Sequence, residues 1–123
     1  VTTSLMHVSA KLGWNVTVAT PEGYDMNPKA VEIAREIAKK TKSKLTFVRD
    51  PHEAVKGAHV IYTDTWTSMG QEEETARREK IFPPYQVNAK LVGEADKDVI
   101  VMHCLPAHRG VVEFAQSWWV RFV

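Results

Sequence analysis

Apolar and polar positions alternate in two rhythms along this chain, one helical and one extended. Leu5, Val8 and Leu12 recur at helical spacing, and Gly13 follows where a left-handed residue commonly ends a helix. Val16 and Val18 alternate with their neighbours from Asn15 to Ala19, which predicts a strand. Thr20-Pro21-Glu22-Gly23 reads as a turn. Asn27-Pro28 then supplies a capping side chain and a proline suited to a first helical position. In the helix after this cap, Val31, Ala34, Ile37 and Ala38 mark an apolar face, and Arg35, Glu36, Lys39 and Lys40 point outward.

The same alternation continues. Leu45 to Val48 reads as a strand, Asp50-Pro51 as the start of a short helix through Val55, and Gly57 as its close. Val60-Ile61-Tyr62-Thr63 is a continuous β-prone run, as in a strand buried on both faces. After a loop at Thr65 to Gly70, Gln71 to Lys80 places acids first and bases last, in keeping with the helix dipole. Glu73–Arg77 and Glu74–Arg78 are favourable pairs on it. Gln86 to Ala95 predicts another helix, and Val99 to Met102 the last clear strand. Strands alternating with helices predict an α/β fold, a three-layer parallel sheet with helices on both faces, Rossmann-like and incomplete at both ends.

Composition narrows the setting. With 123 residues the chain has the size of one domain, and 44% hydrophobic with 25% charged residues is ordinary for a globular protein. A net charge of +1 argues against nucleic acid or a membrane surface as partner. No run reaches the 18 apolar residues or so that a membrane span needs. The one cysteine, Cys104, excludes an internal disulfide and fits a reducing, cytoplasmic setting. The chain begins at Val1 and runs straight into a helical pattern, so it reads as part of something longer.

Two polar clusters follow two of the strands: Asp64-Thr65-Trp66-Thr67-Ser68-Met69-Gly70, and His103-Cys104-Leu105-Pro106-Ala107-His108-Arg109-Gly110. Open α/β sheets bind ligands beyond the carboxyl ends of their strands, so these clusters are the candidate site. Plainer roles exist for each residue. Asp64 serves equally as a helix cap or turn residue. Cys104 alone is more often a small buried apolar residue than a reactive thiol. His103 adjoins it, but neighbours on a strand point to opposite faces, so His103 is a weak candidate for activating the thiol. A metal site lacks a familiar ligand spacing, a hydrolytic Cys/His pair lacks an orienting third group, and no glycine-rich phosphate loop occurs.

Taken in order, the two clusters resemble the ornithine carbamoyltransferases. The resemblance runs from Ser4-Leu5 to Gly110 and includes Ala19-Thr20-Pro21-Glu22-Gly23-Tyr24 and Phe82-Pro83-Pro84-Tyr85-Gln86-Val87-Asn88. Ser68-Met69-Gly70 is its most specific part, because aspartate and putrescine carbamoyltransferases differ in that loop. The resemblance implies transfer of a carbamoyl group from carbamoyl phosphate to L-ornithine, giving citrulline and phosphate, without a cofactor or metal. It implies that Asp64 pairs with the ornithine α-ammonium and that Ser68 and the Met69 backbone hold the amino-acid end. Cys104 would lie beside the δ-amine and the carbamoyl group. The Leu105 carbonyl would accept from the carbamoyl NH₂ across a cis bond to Pro106, with His103 in support.

The family's carbamoyl-phosphate segments, Ser-Thr-Arg-Thr and His-Pro-x-Gln, do not occur in this sequence. The expectation is therefore that residues 1–123 are a partial ornithine-binding domain, that the carbamoyl-phosphate domain is absent, and that the chain alone is inactive. The family forms trimers or larger assemblies. Val111 to Val123, ending Trp118-Trp119-Val120-Arg121-Phe122-Val123, does not match the family's continuation. Rival readings are a carbamoyltransferase for putrescine or N-acetylornithine, and a non-catalytic module that binds an amino acid or a partner protein.

Overall fold

The computed structural model describes residues 1–64, 72–104 and 120–122. Its elements are helix α1 (Thr2–Leu12), strand β1 (Val16–Ala19), α2 (Pro28–Thr41), β2 (Leu45–Val48), α3 (Pro51–Val55), β3 (Val60–Thr63) and α4 (Glu72–Ile81). A 3-10 turn (Pro83–Tyr85), α5 (Ala89–Val92), β4 (Ile100–His103) and β5 (Val120–Phe122) complete the order. The strands form one sheet in the order β2-β1-β5-β3-β4. β1 pairs with β2 and β3 with β4, both parallel, as two βαβ units require.

The α/β architecture expected from the alternation is present, with helices on both faces. On one face Met6 of α1 and Ala34 of α2 pack with Val16, Val18 and Met26, and Leu5, Val31, Leu45 and Tyr62 join them. On the other, Ala54 and Val55 of α3 and Leu91 of α5 pack with Ala19, Ile61, Tyr85 and Val87. Strand residues divide between the two clusters by their alternation: Val16 and Val18 turn one way and Ala19 the other.

Local signals set the helix ends. The Asn27 side chain accepts from the backbone of Lys29 and Ala30, Asp50 from that of His52, and Asn88 from that of Leu91. Gly13 takes a left-handed φ of 76° at the end of α1. A Cβ there would only touch the Thr41 carbonyl oxygen, at 3.4 Å, so the left-handed backbone rather than lack of space selects glycine. The two helices are tied by the Thr41 hydroxyl, which donates to the Ala10 carbonyl at 2.6 Å. The His7 ring nitrogen Nε2 lies 2.9 Å from the Ala30 carbonyl oxygen.

Three expectations need correction. The buried face of α1 is Thr2, Met6, Ser9 and Ala10, whereas Val8 and Leu12 are exposed at 44% and 56%. Small residues let α2 approach closely on that side, and close approach outweighs the hydrophobicity of the other stripe. The helix expected from Gln86 to Ala95 is confined to Ala89–Val92, because Gln86 is extended after the 3-10 turn and Asn88 caps only the residues after it. The unexplained tail contributes a strand. β5 runs antiparallel between β1 and β3, with Val16 opposite Phe122 and Tyr62 opposite Val120. Of the two expected pairs on α4, Glu74–Arg78 forms at 2.5 Å, and the Glu73 side chain that the other needs is not among those described.

β4 is an edge strand, and Ile100, Val101 and Met102 are all exposed. Among the described residues, the sheet hydrogen bonds that join the two parallel pairs run through β5. A chain ended at Trp119 should therefore melt over a broader range and at a lower midpoint than the full chain by circular dichroism, and an unchanged transition would show that β5 contributes nothing. Ile61 is 1% exposed, and Ile61→Ala should cost about 2–5 kcal/mol in a denaturant titration.

Candidate functional site

The parallel pairing of β3 and β4 sets Thr63 opposite His103. The next residues, Asp64 and Cys104, therefore leave the two strand ends side by side and on one face, the face that carries α1 and α2. Both are half-buried. The Cys104 thiol donates to Asp64 Oδ1 at 2.6 Å. Tyr62, two residues earlier on β3, turns to the same face. Burial pushes the thiol above its ordinary pKa; its hydrogen bond to Asp64 and that carboxylate's charge push it further, and the nearby Tyr62 hydroxyl opposes them.

The expected divergence of His103 from the thiol is present in the geometry. Its Nδ1 faces the backbone carbonyl of Cys104 rather than the sulfur. The two strand-end clusters converge as expected at Asp64 and Cys104. Ser68, Met69, Leu105 and Pro106 lie outside the described residues. Among the described residues, no three His, Cys, Asp or Glu side chains are grouped to hold a metal ion, and no helix is long and apolar enough to cross a membrane.

Beside Asp64 opens a cavity of about 220 Å³, lined also by Val1, Thr2, Thr3, Asp25, Met26 and Asn27. It lies between the start of α1 and the loop after β1, with Asp64 at the end of β3. Asp25 is held by Arg49 at 2.7 Å. Arg49 also donates to the carbonyls of Thr20 and Pro21 at 3.0 Å, which fixes this loop over β2. Behind it Phe82 packs edge-on to Tyr24, with ring centroids 4.9 Å apart. The pocket thus brings the Asp25 and Asp64 carboxylates to one small opening.

A family model for the Asp/Orn binding domain of aspartate/ornithine carbamoyltransferase matches residues 1–117. The chain belongs to the aspartate/ornithine carbamoyltransferase family. It is similar to an ornithine carbamoyltransferase from Thermococcus kodakarensis, 55% identical over 107 residues, which cover 87% of this chain and 34% of that protein. The solved ornithine carbamoyltransferase from Pyrococcus furiosus matches with a TM-score of 0.82 at 52% identity, over 88% of this chain and 34% of its own. The anabolic enzyme from Campylobacter jejuni matches with a TM-score of 0.84 at 38% identity, over 88% and 36%. The chain thus spans about a third of the length of the curated relatives it matches.

Sequence reasoning passed over Tyr62, Asp25 and Asn27. Tyr62 shares a strand face with Asp64 two positions on, and that period of two was the available signal. Asp25 and Asn27 had none beyond the cap at Asn27. The Asp64–Cys104 contact carries a pH signature. Replacing Asp64 by Asn removes an anion and a strong acceptor, so the alkylation profile of Cys104 should move to lower pH. A profile that stays in place or rises would show that the carboxylate does not act on the thiol.

Proposed function

We propose that residues 1–123 form the ornithine-binding part of an ornithine carbamoyltransferase and that the carbamoyl-phosphate domain of the parent lies outside them. The observation that carries this reading is the meeting of Asp64 and Cys104 at neighbouring strand ends beside a small acidic cavity. A carboxylate there suits the α-ammonium of L-ornithine by a charge-assisted hydrogen bond. Cys104 then faces the δ-amine, the Ser68–Met69 loop takes the amino-acid end, and the Leu105 carbonyl accepts from the carbamoyl NH₂. Pro106 fixes that turn, and His103 supports it through the Cys104 carbonyl. The relatives' shared name supports the same acceptor.

The chemistry asked of the site is modest. The neutral δ-nitrogen attacks the carbamoyl carbon, a C–N bond forms, the C–O bond to phosphate breaks, and the nitrogen loses a proton. Citrulline and phosphate result. Positioning of the two substrates and stabilisation of charge on the departing phosphate supply most of the acceleration. The residues proposed here position the amine, and the parent's other domain is proposed to supply the phosphate contacts and the larger assembly.

Two measurements test this reading. In the complete parent enzyme, Asp64→Asn should raise the KM for ornithine at least thirtyfold, roughly the 2 kcal/mol lost when one partner of a buried charge pair is removed. An unchanged KM, or a preference for putrescine or N-acetylornithine in an acceptor panel, refutes it. The purified 123-residue chain should form no citrulline from ornithine and carbamoyl phosphate, and turnover free of host enzyme would overturn the proposed division of labour.

A further inference from the structure

We propose that Arg49 is a positioning residue for the candidate cavity: it fixes the loop after β1 and pairs with Asp25, so a ligand meets a cavity in which one of two carboxylates is already matched. Strand register places it there. Ala19 and Val48 are partners at the ends of β1 and β2, so Thr20 and Arg49 leave the sheet side by side. The Thr20 N–H still donates to the Val48 carbonyl at 3.2 Å. From this start the guanidinium reaches along the loop. Its Nη1 donates to the carbonyls of Thr20 and Pro21 and to the Thr20 hydroxyl, each at 3.0 Å. Its Nη2 pairs with Asp25 Oδ1 at 2.7 Å. The Pro21 carbonyl also accepts from the Tyr24 N–H at 3.1 Å, across a turn in which Gly23 takes a φ of 83°. Arg49 therefore braces the turn that leads to Asp25.

Arg49 is itself held. The hydroxyl of buried Tyr85 donates to the Arg49 carbonyl at 2.5 Å. Buried Phe82 packs on Tyr24, and the Arg78 guanidinium lies 5.5 Å from the centre of the same ring. The segments 19–24 and 82–88 thus meet at this loop, and Arg49 carries their contact to the cavity wall. The Arg49 and Asp25 side chains are 52% and 62% exposed, and an exposed ion pair alone contributes little. Here the forked geometry matters more: a planar guanidinium holds two carbonyls and a carboxylate at once, which the single nitrogen of an ammonium does not match. The consequence is electrostatic. Asp25 and Asp64 line one cavity, and two carboxylates draw two ammonium groups. Arg49 offsets the charge of Asp25, so the cavity favours a ligand with one ammonium beside a carboxylate, as in an amino acid, over a diammonium. This inference deepens the proposed ornithine reading and rests on it.

The test is competitive inhibition by putrescine, a diammonium, against ornithine in the complete parent enzyme at low salt. Arg49→Gln removes the cation and bares Asp25, so the Ki for putrescine should fall, roughly two- to fivefold, the range of an exposed ion pair. Asp25→Asn removes the anion and bares Arg49, which keeps its bonds to Thr20 and Pro21, so the Ki should rise by a similar factor. The double variant should return towards the parent value, and added salt should shrink both shifts. Any charge near Val1 is common to all variants and drops out of the comparison. A loop that is merely loosened would move both single variants the same way. Shifts of one sign, or a Ki that neither variant moves, overturn the proposal and leave the ornithine reading standing. That reading fails on a separate result, an ornithine KM indifferent to Asp64→Asn, and the role of Arg49 falls with it.

Discussion

The register between β3 and β4 governs everything that the strand ends can do. Thr63 faces His103, and the residues after them therefore meet. In a sheet with a side-chain period of two, slipping β4 by one residue would send Cys104 to the α3 and α5 face and bring His103 or the residue after Cys104 beside Asp64. What resists that slip is the alternation of β3. Ile61 is buried in one cluster and Tyr62 packs on the other, so neither face of that strand can be exchanged. The exposed side chains of Ile100, Val101 and Met102 add little of their own, so β4 takes its register from its neighbour.

Much of this was legible in the sequence, because its determinants are local. Val16–Ala19 and Leu45–Val48 alternate within themselves, and Asn27-Pro28 and Asp50-Pro51 carry their caps with them. The site was legible where one rule sufficed: polar residues after an apolar strand in an open α/β fold. Whatever depended on distant partners was not. The buried stripe of α1 is decided by the approach of α2, through Thr41 and the small residues Ser9 and Ala10, and not by where its larger apolar side chains fall.

β5 is the clearest case of non-local determination. Val120–Phe122 shows β-prone residues, but nothing in the tail says that its partners are β1 on one side and β3 on the other. An antiparallel strand between two parallel pairs satisfies backbone groups that would otherwise face each other across a gap. Its three residues reach Val16 and Thr17 of β1 and Val60 to Tyr62 of β3. It therefore stops short of Asp64 and Cys104, which are held by the direct β3–β4 pairing instead.

The same geometry bears on the order of events in the proposed site. Asp64 accepts from the Cys104 thiol at 2.6 Å. An ammonium is a stronger partner for a carboxylate than a thiol, since both ions of the new pair are charged. On the proposed reading, ornithine therefore takes over Asp64, and the anion that holds the thiol protonated is neutralised at that moment. On that reading the balance at Cys104 tips towards the thiolate only once the amino-acid end is seated. Recognition of one end of the substrate then conditions the group that faces the other, and the link needs nothing longer than the contact between Asp64 and Cys104.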